Sequence, residues 1–82
     1  MVLVERVKDF RIPNAIALKA KVDSGERLSD YDTDMLERII VDLEKAEPLL
    51  ARHPEYQTLY ERLAHLYKEI TDKALKNEMG SS

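Results

Sequence analysis

Cysteine is absent from this 82-residue sequence, which excludes disulfide bonds and zinc sites built on thiolates. Glycine and proline are scarce, with 2 and 3 residues, and this scarcity argues against a β-sandwich and against a disordered chain. No apolar run approaches the ~18–20 residues of a membrane span. Residues 1–10 alternate charged and apolar side chains, unlike the continuous apolar segment of a signal peptide. We therefore expect a cytoplasmic protein.

The usual sequence signatures of catalysis are also missing. No glycine-rich loop is present to hold a phosphate, and neither His53 nor His65 has a nucleophile close to it in the sequence. Residues 30–34 have the D-x-D-x-D spacing of a calcium loop, but Met35 and Val41 stand where that loop needs glycine and glutamate. We therefore expect a non-enzymatic protein with no cofactor, no metal and no small-molecule substrate.

Amphipathic helical patterns account for most of the chain. From Pro54 to about Asn77, apolar residues recur with the α-helical period and form one arc roughly 120° wide. The arc consists of Tyr56, Leu59, Tyr60, Leu63, Leu66, Tyr67, Ile70 and Ala74. A second helix is predicted from about Asp30 to Arg52, with Ser29 as its N-cap and a kink at Pro48. Its core stripe is Met35, Leu36, Ile39, Ile40, Leu43, Ala46 and Leu50. Few residues separate the two helices, so they must be antiparallel neighbours.

The N-terminal part predicts a shorter helix over residues 13–23, ended by Gly25 in the left-handed conformation. Its broad apolar arc predicts contact with two neighbouring helices. The pattern of residues 1–12 leaves open whether they are helical or an irregular arm. Lys19 lies within this apolar arc, and Glu47 lies within the core arc of the second helix. One interpretation is a buried Lys19–Glu47 ion pair; the other is that the kink at Pro48 returns Glu47 to solvent.

These patterns predict an all-α fold with a single domain over residues 1–79 and a flexible tail at 80–82. A short N-terminal helix precedes a long antiparallel helical hairpin. Because the chain is short for apolar arcs of this breadth, we expect two hairpins to complete a four-helix bundle as a homodimer. The expected interface is Tyr56, Tyr60, Leu63, Tyr67, Ile70, Ile39 and Leu43. If the first helix reaches the tyrosine edge, the chain is instead a self-contained three-helix bundle.

Charge is distributed unevenly along a chain of net charge -3. Residues 1–22 hold five cationic and two anionic side chains, whereas residues 23–37 hold six anionic and one cationic. This segregation predicts electrostatic fit within the molecule or an oligomer. The resulting hypothesis is a non-enzymatic interaction or assembly module that self-associates or binds a helical protein partner. The alternative is a small regulator that contacts nucleic acid through a basic N-terminal segment, although both long helices carry mixed charge. The cations of that segment are Arg6, Lys8, Arg11, Lys19 and Lys21.

Overall fold

The computed structural model describes residues 2–80, which form three helices and no strands. Helix α1 covers residues 2–23 and has three parts, the α-helical Val2–Arg6, the π-helical Val7–Arg11 and the α-helical Ile12–Asp23. Helix α2 is Asp30–Ala46 and helix α3 is Gln57–Met79. The all-α prediction is confirmed. Of the predicted tail, residues 81 and 82 lie outside the described part of the chain.

Helix α1 is longer than the predicted helix over residues 13–23, because it passes through Pro13 instead of beginning there. A proline inside a helix lacks one amide donor, and its ring crowds the carbonyl group four residues earlier. The π-helical turn lies directly before Pro13, and there the amide of Ile12 donates to the carbonyl of Val7, five residues back. This wider turn accommodates the proline ring. Residues 2–12 are therefore helical, which settles the alternative that the sequence left open.

Both ends of the α1–α2 loop follow the predicted chemistry. Gly25 has φ of 90°, a left-handed conformation in which a side chain would be strained. Its amide donates to the carbonyl of Val22 over 3.0 Å, which helps to close the end of α1. Ser29 is the N-cap of α2, and its hydroxyl accepts a hydrogen bond from the amide of Asp32. The Asp32 carboxylate in turn accepts from the amide of Ser29 at 2.9 Å, which completes a capping box.

The predicted second helix ends earlier than residue 52. Its α-helical part stops at Ala46, and the 3₁₀-helical turn Glu47–Leu49 follows, with Pro48 inside it. The proline ends the α-helix where a kink was expected, because it cannot donate to the carbonyl of Glu44. Another 3₁₀ turn, Pro54–Tyr56, leads into α3. The antiparallel hairpin of α2 and α3 is present as predicted.

Helix α1 packs against both other helices, so the chain is a self-contained three-helix bundle. At its C-terminal end, the Asn77 side chain of α3 donates to the carbonyl of Val22 at 2.8 Å and to that of Glu26 at 3.1 Å. The buried core draws on all three helices and contains Val7, Ile12, Ala15, Leu18, Val22, Leu36, Ile39, Leu43, Leu63 and Ile70. Of the apolar arc of α3, Leu63 and Ile70 are therefore buried within this chain itself, and the other six residues are half-buried.

The molecule is elongated, with principal extents of 47, 18 and 16 Å. Within residues 2–80, none of the helices is long and apolar enough to cross a membrane.

Candidate functional site

The most unusual polar group of the bundle is Asp42, a carboxylate that is 3% exposed on the inner side of α2. Two arginines of α1 hold it. Arg6 donates from Nε and Nη2 to the two carboxylate oxygens at 3.1 and 2.8 Å, which is the bidentate geometry of a strong ion pair. Arg11 donates from Nε to Oδ2 at 2.7 Å. These three residues are called the Asp42 cluster below.

The π-helical turn explains how both arginines reach one carboxylate. Arg6 and Arg11 are five residues apart, and in a regular α-helix residues at that spacing point in different directions. The extra residue per turn of Val7–Arg11 brings the two side chains onto the same side of α1. Single π-helical turns are frequent at functional positions in proteins. The turn therefore serves both to pass Pro13 and to build the Asp42 cluster.

The Asp42 cluster carries more positive than negative charge. Burial by itself would raise the pKa of Asp42, but the hydrogen bonds from Arg6 and then from Arg11 outweigh it and hold the pKa below its ordinary value. Asp42 is therefore ionised at neutral pH. Two guanidinium groups then share one carboxylate, and Arg11 is itself largely buried, with 14% of its side chain exposed. One positive charge is left without a matching carboxylate in the cluster.

An open groove with a volume of about 470 Å³ runs beside the Asp42 cluster, between α1 and α2. On its α2 side the groove is lined by Asp34, Glu37, Arg38, Val41 and Lys45. The acidic residues lie toward the N-terminal half of α2 and the cationic ones toward its C-terminal half. The α2 side of the groove is therefore negative toward the N-terminal end of α2 and positive toward its C-terminal end.

Helices α1 and α2 expose several large apolar side chains, and Leu75 and Met79 of α3 are exposed as well. Tyr31 is 71% exposed, Phe10 is 61% exposed and Val41 is 42% exposed. Tyr31 shares a second cavity, of about 180 Å³, with Asn14 and Ala17 of α1, and Phe10 lies one helical turn before Asn14. The surface that joins these features is called the α1–α2 face. It comprises Arg6, Phe10, Asn14, Ala17, Tyr31, Asp34, Arg38, Val41 and Lys45.

Most of the N-terminal cations are engaged within the molecule. Besides the two arginines of the Asp42 cluster, Lys21 of α1 pairs with Asp32 of α2. Burial raises the pKa of Asp32, but hydrogen bonds from Lys21 and from Ser29 more than offset this effect and lower it overall. These pairs provide the electrostatic fit that the charge segregation predicted. They also occupy the cations that the nucleic-acid alternative would need, and Lys8 alone of the five has no ion pair within residues 2–80.

Of the two interpretations of Lys19 and Glu47, the structure does not show the ion pair. Lys19 pairs instead with Asp23 at 2.7 Å and with Glu69 of α3 at 3.4 Å, and the hydrogen bond from Lys19 to Asp23 raises the pKa of the lysine. Glu47 is exposed to solvent in the 3₁₀ turn that follows α2. The change of backbone at Pro48 thus turns Glu47 outward, as the other interpretation of the sequence held.

Four residues of the predicted interface are core residues of the monomer. Ile39, Leu63 and Ile70 are fully buried and Leu43 is 5% exposed, so none of them is available to another chain. The three tyrosines of that prediction are half-buried. Tyr60 and Tyr67 pack on the core, and Tyr56 stacks near His53, with ring centroids 5.4 Å apart. The core therefore takes up the aliphatic part of the predicted interface, and its three tyrosines keep part of their surface exposed.

A small apolar cleft lies where the N-terminal end of α1 meets the tyrosine edge. Leu3, Val4 and Val7 of α1 face Tyr56 and Tyr60 there, and Asp42 closes its inner side. The cavity volume is about 30 Å³, comparable to the space of one water molecule, whereas pockets for small-molecule ligands are roughly 300–1,000 Å³. The cleft is a seam between packed helices.

The sequence contained one usable signal for the Asp42 cluster. Asp42 lies between Ile39 and Leu43 at the edge of the core arc of α2, and an acid at such a position requires a partner. The sequence did not identify Arg6 and Arg11 as its partners, because in a regular α-helix these two side chains point in different directions. The exposed side chains of the α1–α2 face were equally hidden, because no periodicity shows which residues remain uncovered.

Among residues 2–80, no three histidine or acidic side chains come together in an arrangement that could hold a metal ion. No family model, no curated protein and no solved structure matches the chain.

Proposed function

We propose that this chain is a non-enzymatic interaction module that binds a protein partner through the α1–α2 face. The observation that carries the proposal is the exposure of Phe10, Tyr31 and Val41, of which Val41 lines the open groove and Tyr31 lines the second cavity. The core behind this face is complete, and within the described residues no buried side-chain nitrogen or oxygen lacks a hydrogen-bond partner. The exposure of these apolar side chains is therefore not a consequence of a poorly formed core. Exposed apolar patches with a polar rim are typical of protein interaction sites.

The composition of the face supports a protein partner over a nucleic acid. Tyrosine, phenylalanine and arginine are enriched where proteins meet, and Tyr31, Phe10 and Arg38 supply all three here. Arg38 and Lys45 of this groove are cations without an ion pair within residues 2–80, but Asp34 and Glu37 line it as well, whereas a nucleic-acid surface carries few carboxylates. The cytoplasmic location inferred from the sequence is part of the same proposal.

Site-specific photo-crosslinking in the cells that produce the protein tests the proposal. A benzophenone amino acid replaces Tyr31 in one variant and Leu75 in the control, because Leu75 is 58% exposed on α3, outside the α1–α2 face. We expect a crosslinked species of discrete mass from position 31 and none from position 75. Adding Phe10→Ser should reduce the yield at position 31 without changing the helical circular dichroism spectrum.

The mass of the crosslinked species distinguishes two kinds of partner. A species of twice the mass of the chain identifies a second copy, and any other discrete mass identifies a different protein; both support the proposal when Phe10→Ser reduces them. Absence of a discrete species at position 31, or equal yield at position 75, would show that the α1–α2 face is not an interaction site.

A further inference from the structure

We infer that the α1–α2 face binds a second copy of this chain, with the two α2 helices antiparallel across a twofold axis. This inference rests on the proposed function, because it names the partner of the same face. It differs from the dimer expected from the sequence alone. Four residues of that expected interface are buried in the core of a single chain, namely Ile39, Leu43, Leu63 and Ile70.

Four exposed residues of α2 form a single stripe along the α1–α2 face. Asp34, Arg38, Val41 and Lys45 follow one another at intervals of four, three and four residues. Side chains at this alternating spacing lie on the same side of a helix, and it is the spacing of the seam between paired helices. The stripe points away from the bundle, since all four residues are exposed.

The two end charges of this stripe, Asp34 and Lys45, are complementary to each other in the antiparallel orientation. A twofold axis between Arg38 and Val41 places Asp34 of each copy opposite Lys45 of the other, and it places each Arg38 opposite a Val41. Twofold interfaces use the same patch on both subunits, so the match occurs twice. A parallel arrangement would bring Asp34 to Asp34 and Lys45 to Lys45, which is repulsive.

The charged residues of the stripe are free to make these contacts. Within residues 2–80, Asp34, Arg38 and Lys45 form no ion pair, although such pairs engage charged side chains on all three helices. This contrasts with the cations of α1, four of which have acidic partners. A second copy would supply a carboxylate near the positively charged Asp42 cluster, because its Asp34 would lie opposite Lys45, three residues after Asp42.

The proposed interface is small. A standard protein interface buries about 800 Å² on each partner. Helix α2 has 17 residues and is therefore about 25 Å long, so a contact centred on α2 covers only part of the 47 Å length of the bundle. Val41 is 42% exposed and lines the open groove of about 470 Å³, so it adds apolar area near the middle of the stripe.

Charge reversal tests the register directly, with sedimentation equilibrium as the measurement. We expect the wild-type chain to dimerise in the micromolar range. Asp34→Lys alone, or Lys45→Asp alone, should weaken its own homodimer at least tenfold by opposing like charges. Mixing these two variants should form a heterodimer, because every contact between position 34 of one chain and position 45 of the other then joins opposite charges. The double variant Asp34→Lys/Lys45→Asp should recover the homodimer.

Glu44→Lys is the matched control, since Glu44 is exposed on α2 but lies outside the stripe. It should leave the dimer unchanged, and circular dichroism checks that every variant is folded. A wild-type chain that stays monomeric at high micromolar concentration overturns the inference. So does a dimer in which the mixed variants fail to associate. In either case, a crosslink from position 31 to a different protein would leave the proposed function intact, whereas loss of that crosslink would remove both.

Discussion

Replacing Asp42 by alanine should destabilise the protein strongly, because it leaves a largely buried guanidinium group without its carboxylate. Asp42 accepts three hydrogen bonds from Arg6 and Arg11. Arg11 has 14% of its side chain exposed, against 37% for Arg6, so Arg6 can turn to water but Arg11 cannot do so without moving α1. Removing one partner of a buried ion pair costs about 3–5 kcal/mol.

That cost is large relative to the total stability of so small a domain. At the usual 0.05–0.15 kcal/mol per residue, an 82-residue chain has a free energy of unfolding of about 4–12 kcal/mol. Urea denaturation followed by far-UV circular dichroism should therefore show a much lower midpoint for Asp42→Ala, with an unchanged slope. A loss of about 3 kcal/mol would lower the melting temperature by about 12–24 °C in a domain of this size.

Two further variants separate the ion pair from the loss of a side chain in general. Glu44→Ala removes an exposed acid two residues later and should change stability by less than about 0.5 kcal/mol. Asp42→Ala combined with Arg11→Met should recover part of the loss, since no buried charge is then left unpaired. The role assigned to the Asp42 cluster is refuted if Asp42→Ala is as mild as Glu44→Ala, or if the double variant is no more stable than Asp42→Ala.

Acid should destabilise the protein through the same carboxylates. The pKa values of Asp42 and Asp32 are lowered on folding, so their stabilising effect is complete above the unfolded pKa and is lost as pH falls through the lower folded value. The free energy of unfolding should thus decline below about pH 4; a flat profile there, or the same decline in Asp42→Ala, would contradict this. Ser29→Ala removes the capping hydroxyl of α2 and should cost about 1 kcal/mol in thermal denaturation, whereas Thr58→Ala, exposed on α3, should cost less; equal losses would argue against the capping box.

The chain's periodicity was sufficient to predict the helices and their order. The 3.6-residue pattern of α2 and α3, Ser29 before an acidic first turn and Gly25 after an apolar run are local signals, and the structure contains each of them. Local signals succeed because capping and backbone conformation depend on residues within one or two turns. Pro13 misled for the same reason. Its local preference for a helix start did not prevail, because the π-helical turn Val7–Arg11 carries α1 through the proline.

Burial, by contrast, was decided by the tertiary structure. The sequence determined that α3 has an apolar face, but only the folded chain shows that α1 covers it and that Leu63 and Ile70 are therefore core. The same holds for the Asp42 cluster, which joins residues more than thirty positions apart. The sequence of a helix shows which of its faces is apolar. Which other helix packs against that face depends on the packing of the whole bundle. That packing leaves Phe10, Tyr31 and Val41 of the α1–α2 face exposed.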